Sequence, residues 1–288
     1  MIKNLDELVY VSEDKAKTRF YPSDFNKPNI ELYLKFKGVK ETNPPKWSDT
    51  LKWGAGNGVE EQMLKILKMN GIVKEDYNQK EHGGFKMERE GIEIGGYTDA
   101  RTIDGLPIEI KSINNKNSFD IKKYEDGYPR ENYVGQLSIY MDYLGVDTGY
   151  LFASTVDGLS TFWFVCKKID DGVYQCGNVI VDIYKEYRRW SKLKTEYIDK
   201  DREPKWTQYL YKRDVREIDF KKELLEGTIS KSAIQEARMG RKVIGDWEVS
   251  YSPYKNLIIE KQGVELGYTL EELEIIKTKT EGYTSWIK

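Results

Sequence analysis

Cysteine and histidine are nearly absent from this chain, and their scarcity removes several kinds of chemistry at once. Cys166 and Cys176 are the two cysteines. Their spacing suits neither a zinc ribbon nor a disulfide framework, so both are read as reduced. His82, the single histidine, lies in the loop Glu81-His-Gly-Gly84, where it makes a poor metal centre. A Ser-His-Asp hydrolase would need it, yet no G-x-S-x-G elbow is present. Gly54, Gly56 and Gly58 match neither the Walker loop nor the dinucleotide fingerprint, so ATP and NAD sites are not indicated. No run approaches the roughly 18 apolar residues needed to cross a bilayer. The start, MIKNLDELVY, lacks the basic flank and apolar centre of a signal peptide, which makes a cytoplasmic protein the expectation. Charge of one sign is missing too: 46 basic residues face 48 acidic ones, a net charge of -2. The total announces no nucleic acid, but a nuclease needs only a local basic track around metal-binding acids.

What is present is apolar and aromatic. Hydrophobic residues make up 39% and aromatics 13% of 288 residues, enough for a sizeable core and too much for disorder. No repeat or low-complexity linker divides the chain. One main domain over residues 1–200 is expected, with residues 201–288 an appended helical lobe that packs back on the N-terminal segment.

Pro22-Ser-Asp24 followed by Phe25, Ile30, Leu32, Leu34 and Phe36 predicts a short helix. A second helix is expected after the glycine cluster, through Asn70, carrying Met63, Leu64, Ile66 and Leu67. From Phe85 to Ile113 the pattern alternates, with Ile92, Ile94, Ile103, Ile108 and Ile110 between turns at Gly95-Gly96 and Asp104-Gly105, which predicts a β-meander. A helix over Glu131–Leu144 should follow. Next comes a hairpin from Tyr150–Thr155 and Thr161–Val165 around Asp157-Gly158. Ile180, Ile183, Tyr184, Tyr187, Trp190 and Leu193 predict a long helix from Asn178 to about Ile198, its stripe a core face. Further helices are expected at Ser230–Met239 and Leu270–Thr278.

One stretch carries chemistry. In Ile108-Glu-Ile-Lys-Ser112 alternate residues share a strand face, so Glu109 and Lys111 project together while Ile108 and Ile110 enter the core. Asp99, in Gly95-Gly-Tyr-Thr-Asp99, is expected on the neighbouring strand, completing a carboxylate pair. Two carboxylates with strand backbone, including the Ile110 carbonyl, make a hard oxygen site suited to Mg²⁺ or Mn²⁺. Lys111 would then serve the attacking water and offset charge on the phosphorane oxygens. An isolated E-x-K is far more often a solvated strand face, so the surroundings decide.

Those surroundings resemble the PD-(D/E)XK nuclease superfamily, in particular its RecB-like and CRISPR-associated exonuclease branch, over more than half the chain. Gly56-Asn-Gly-Val-Glu60 is similar to the G-x-x-x-(H/E) helix opening of that branch, and Glu60 falls on its metal-ligand position, with Glu61 as rival. Asp99 and Glu109-x-Lys111 match the elements that name the superfamily, although Thr98 stands where its name has Pro. Tyr133-Val-Gly-Gln136-Leu-Ser-Ile-Tyr140 looks like the Q-x-x-x-Y helix, whose amide and phenol share a face. Many relatives also carry a four-cysteine iron-sulfur staple. Here Pro22–Pro28 and Trp247–Ile258 look like its segments, with Pro28, Val249, Ser252 and Ile258 in the ligand positions. None supplies a thiolate, so no cluster is expected, while the two segments should still pack together.

The resemblance implies a restriction-endonuclease-like α/β core, a mixed central sheet flanked by helices, with a C-terminal helical lobe. It implies a Mg²⁺- or Mn²⁺-dependent deoxyribonuclease, first of all an exonuclease trimming DNA ends in recombination, repair or phage DNA processing. A structure-specific or restriction-type endonuclease, or an inactive nucleic-acid-binding protein keeping the fold, are the alternatives. Metal would be held by Glu60, Asp99, Glu109 and the Ile110 carbonyl, and Gln136 and Tyr140 would position the backbone or brace Lys111. Lys122, Lys123 and Arg130 follow the catalytic strand closely and are expected against DNA phosphates, with Tyr133 expected to stack on unpaired bases. Tyr124 and Tyr128 are further candidates to stack unpaired bases. Lys231, Arg238, Arg241 and Lys242 form a second basic segment. Expected partners are DNA, single-stranded or with ends, further copies of the chain, and recombination or replication proteins in a bacterial or phage-infected cell.

Overall fold

The structure is a computed structural model describing residues 16–43, 45, 47–113, 118–206, 210–212, 243–245, 252–265, 267 and 269–271. These fall into two compact units, one of residues up to 39 and 46–204, the other of residues 40–45 and those from 205 onward.

The first unit is built on a six-stranded mixed sheet in the order β3-β4-β5-β6-β7-β8. Its strands are β3 (Ala100–Arg101), β4 (Pro107–Ile113), β5 (Thr148–Thr155), β6 (Thr161–Asp170), β7 (Val173–Cys176) and β8 (Val179–Asp182). Only β4 and β5 run parallel, and the crossover between them carries α4 (Ser118–Glu125) and α5 (Glu131–Leu144). The remaining pairs are antiparallel. Helices cover both faces. On one face Leu67 of α2 (Trp47–Met69) packs with Ile108, Ile110 and Phe152. On the other, Leu137 and Met141 of α5 close on Gly149, where even a Cβ would sit 3.0 Å from Met141. Glu109 and Lys111 are in register with Leu151 and Ala153, the α5 side of the sheet.

The helix over Glu131–Leu144 forms as its periodicity predicts, and Gly145 ends it in the left-handed region (φ 65°). The β5–β6 hairpin also follows expectation. The anticipated meander does not. Gly95 and Gly96 lie inside β2 (Ile92–Tyr97), where Arg19, Phe85 and Pro22 leave almost no room for a Cβ. The chain instead reverses at Glu90-Gly91, whose φ values of 49° and 71° match a hairpin turn, making β1 (Gly84–Arg89) and β2 a separate two-stranded sheet. Ile103, placed by its alternation in the core, is 57% exposed in the turn before β4.

Two helix boundaries also move. The glycine cluster lies within α2, not before it. The expected Asn178–Ile198 helix starts as strand β8, and α6 (Ile183–Leu193) begins where Asp182 accepts a bond from the Lys185 amide. A π-helical turn, Lys194–Ile198, follows. Ile183, Tyr187, Trp190 and Leu193 are buried as the stripe requires, whereas Ile180 is exposed. Near the N-terminus Pro22–Asp24 forms a 3-10 turn, and the first α-helix, α1 (Asn29–Phe36), waits until after Pro28.

In the second unit β9 (Leu210–Lys212) pairs with β10 (Val243–Gly245), and α7 (Lys255–Glu265) follows. The Asn43 amide donates to the Pro253 carbonyl and Asn256 to that of Thr42, so residues 42–43 join this unit. The helix expected at Ser230–Met239, most of that at Leu270–Thr278, the basic segment Lys231 to Lys242, Trp247 and Val249 lie outside the described residues. No described helix is long and apolar enough to cross a membrane.

Candidate active site

Burial of an alternating strand puts charge where the chain can least tolerate it. Ile108 and Ile110 anchor β4 in the core, which obliges Glu109 and Lys111 to share the opposite side. Glu109 is fully buried and Asp99 is 8% exposed. Asp99 directly precedes β3 and is tied to the neighbouring strand: its Oδ2 accepts from the Ile110 amide at 2.8 Å. Lys111 Nζ lies 3.7 Å from that oxygen and forms a close ion pair with Glu109 Oε1. That contact is electrostatic, since neither Glu109 oxygen accepts a well-directed hydrogen bond.

α2 adds the third acid. Burial, then repulsion from Asp99, pushes the Glu60 carboxyl up to about 7, with Lys111 opposing. Glu109 rises to about 8 through burial and Asp99, again against Lys111. Burial also lifts Asp99, partly offset by Lys111 and the Ile110 amide. For Lys111 burial works against the ammonium, yet Glu109 and Asp99 outweigh it and hold the proton above its ordinary affinity. Three acids and one lysine thus feel one another, and the acids want more positive charge than Lys111 supplies. Glu60 is half-buried and coupled to Asp99, and its neighbour Glu61 is exposed.

Gly56 sets how closely α2 approaches. A Cβ there would lie 2.8 Å from Ser112 Oγ on β4, whereas Gly54 and Gly58 have nothing within 4 Å. One turn further on stands Glu60.

α5 supplies the roof. Gln136 Nε2 donates to the Tyr140 hydroxyl at 2.9 Å, and Tyr140 is buried. Its phenol is held well above its usual range by burial, then by Glu109 and Asp99. Tyr133 has Lys111 Nζ 5.6 Å and the Arg130 guanidinium 5.8 Å from its ring centroid. Lys122 and Lys123 stand exposed on α4. Tyr128 is exposed, but Tyr124 is only 2% exposed, packed with Ile113, Phe162 and Phe164, and cannot stack a base. His82 stays exposed, bonded locally to Asn78.

Four residues near Asp99 carry no spacing signal. Gln79, on the short helix α3 (Gln79–His82), donates to Asp99 Oδ1 at 3.3 Å. The Tyr77 hydroxyl bonds the Thr98 carbonyl, and Gly83 presses so near that a Cβ would be 2.6 Å from the same oxygen. Arg101 follows two residues after Asp99. Only the pairing of distant segments brings Tyr77, Gln79 and Gly83 to Asp99.

Among the described residues no three His, Cys, Asp or Glu side chains converge into a finished ligand set. The donor chemistry nevertheless fits a hard divalent cation. Glu109 has buried oxygens with no well-directed hydrogen bond beyond the Lys111 ion pair, beside a second carboxylate fixed by backbone and a third on α2.

No family model and no curated protein matches this chain. Among solved structures it is similar to SSO0001, at 14% identity and a TM-score of 0.38 over 62% of this chain and 76% of that one. It is also similar to an alkaline exonuclease from Laribacter hongkongensis, at 14% identity and a TM-score of 0.40 over 73% of this chain and 95% of that one. Likeness this remote carries no functional weight, and the site is judged on its own geometry.

Proposed function

We propose that this chain is a divalent-metal-dependent deoxyribonuclease of the PD-(D/E)XK type. The observation that carries the reading is the convergence of Asp99, Glu109 and Lys111, with Asp99 held by the amide between the other two. Asp99, Glu109, Glu60 and the Ile110 carbonyl would hold Mg²⁺ or Mn²⁺. Bound there, the ion would polarise a phosphodiester and acidify a water. Lys111, kept protonated by Glu109 and Asp99, orients the attacking water and balances charge growing on the phosphoryl oxygens. Gln136 and Tyr140 keep Lys111 and the scissile phosphate in place from α5. Arg130, Tyr133, Lys122 and Lys123 meet the DNA backbone through charge and stacking. Pro28, Ser252 and Ile258 offer no thiolate, so an iron-sulfur cluster forms no part of this reading.

Exonucleolytic trimming of DNA ends is the activity proposed first, in recombination, repair or phage DNA processing. The test is degradation of end-labelled linear DNA with Mg²⁺ or Mn²⁺. Wild type should cut, while Lys111→Ala and Asp99→Ala should lose on the order of 10²-fold or more. If wild type cuts nothing with either ion, or both variants match it, the reading is wrong. Covalently closed circles separate the alternatives, since an exonuclease leaves them intact and an endonuclease opens them.

A further inference from the structure

Arginine rarely lacks a partner in a chain with 48 acidic residues, and Arg101 has none among the described residues. It belongs to β3, where Ala100 points into the core beside Ile108, so Arg101 shares the strand side of Asp99. The residue is half-buried, and its Nε is shielded from solvent with no hydrogen-bond acceptor. An atom so shielded is closed to a phosphate as well, but the terminal guanidinium nitrogens are not among the shielded, unpaired atoms, which leaves the fork open to an anion. No ion pair links it to Asp99 or Glu109, both already engaged by Lys111.

Its surroundings are rich in donors. The guanidinium's charge reaches the Tyr77 hydroxyl, which bonds the Thr98 carbonyl. The Gln79 carboxamide donates to Asp99 Oδ1 at 3.3 Å, two residues before Arg101, and its nitrogen carries a second hydrogen. An unpaired guanidinium and a side-chain amide beside a carboxylate cluster form an anion subsite next to a cation site. The guanidinium fork matches phosphate oxygens in particular.

We propose that Arg101, assisted by Gln79, binds a phosphate of the nucleic-acid backbone adjacent to the phosphate undergoing cleavage. This deepens the nuclease reading and rests on it. The subsite sets register: it holds the strand so that the neighbouring phosphodiester meets Asp99, Glu109 and Lys111. Arg101 is therefore a substrate-binding residue, and Gln79 serves both the subsite and the orientation of Asp99.

The test is binding rather than cleavage. A short fluorescein-labelled oligonucleotide, with or without a 5′-phosphate, is titrated with full-length protein by anisotropy in Ca²⁺ across a salt series. Arg101→Gln should weaken binding about tenfold and lower the slope of log affinity against log salt by about one. Arg101→Lys should restore the slope while recovering only part of the affinity. A loss confined to the 5′-phosphorylated strand places a terminal phosphate in the subsite; an equal loss on both places an internal one. The thermal shift produced by Mn²⁺ serves as control and should match wild type in both variants. Arg101→Gln binding like wild type in affinity and slope overturns the subsite and leaves the nuclease reading standing. So does a variant that loses the Mn²⁺ shift, for Arg101 would then act through Asp99. Arg101-dependent binding with no Lys111-dependent cleavage keeps the subsite and overturns the nuclease. Wild type that binds no oligonucleotide overturns both.

Discussion

Glu109 pays for the site. A carboxylate with no exposure, next to Asp99 and within the field of Glu60, keeps its proton up to about pH 8. In the unfolded chain the same group ionises near 4.5. Between those values the folded state binds more protons than the unfolded one, so stability falls as pH rises and levels off above about 8. Without divalent metal, wild type should therefore melt at lower temperature at pH 8 than at pH 5. The loss should be on the order of a few kcal/mol, with Glu60 adding in the same direction. Glu109→Gln should flatten most of this slope. Mn²⁺ should raise the melting temperature more at pH 8 than at pH 6, because protons compete for the same oxygens. Melting curves that do not depend on pH over this window would contradict the buried-acid account.

At the scale of elements, the glycines of α2 divide by their surroundings. Gly54 and Gly58 face open space, so replacing either with Ala should stabilise the protein by about 0.5–1 kcal/mol through helix propensity alone. Gly56→Ala adds the same propensity but drives a methyl group against Ser112 Oγ. It should cost cleavage about tenfold or more by shifting Glu60, and Ser112→Ala in the same chain should recover much of that loss. Urea midpoints and cleavage rates on the three single variants and the double variant decide the matter. Equal activity in all of them would remove Gly56 from the placement of Glu60. Element identity was legible wherever one period ran unbroken. The 3.6-residue pattern of Glu131–Leu144 and the apolar, β-rich run of Tyr150–Thr155 both emerge as read. It failed where glycine was taken as punctuation. Gly95-Gly96 and the α2 glycines are sites of close packing inside elements, and a sequence does not reveal what will lie against a missing Cβ.

Across the whole molecule, all described candidates for metal and phosphate lie in the first unit, which includes residues 46–204. Divalent metal should accordingly act locally. In hydrogen exchange on the full chain, Mn²⁺ should slow amides of β3 and β4, Ile110 above all because its amide holds Asp99, and leave α7 of the second unit unchanged. Equal protection of α7 would show that the ion acts on both units.

Sequence alone determined which side chains could do chemistry. Strand alternation pairs Glu109 with Lys111 on one side and sends Ile108 and Ile110 to the other, and helical spacing aligns Gln136 with Tyr140. Those relations are local, and backbone geometry enforces them. Tertiary structure decided the rest: that Glu60 is coupled to Asp99 while Glu61 is exposed, that Tyr124 is buried, and that Gln79 borders the site. Each depends on segments that are not neighbours in the chain: Glu60 and Gln79 meet Asp99, and Tyr124 packs on Phe162 and Phe164. Those meetings come from tertiary packing, such as that of α2 on β4, which no residue spacing encodes.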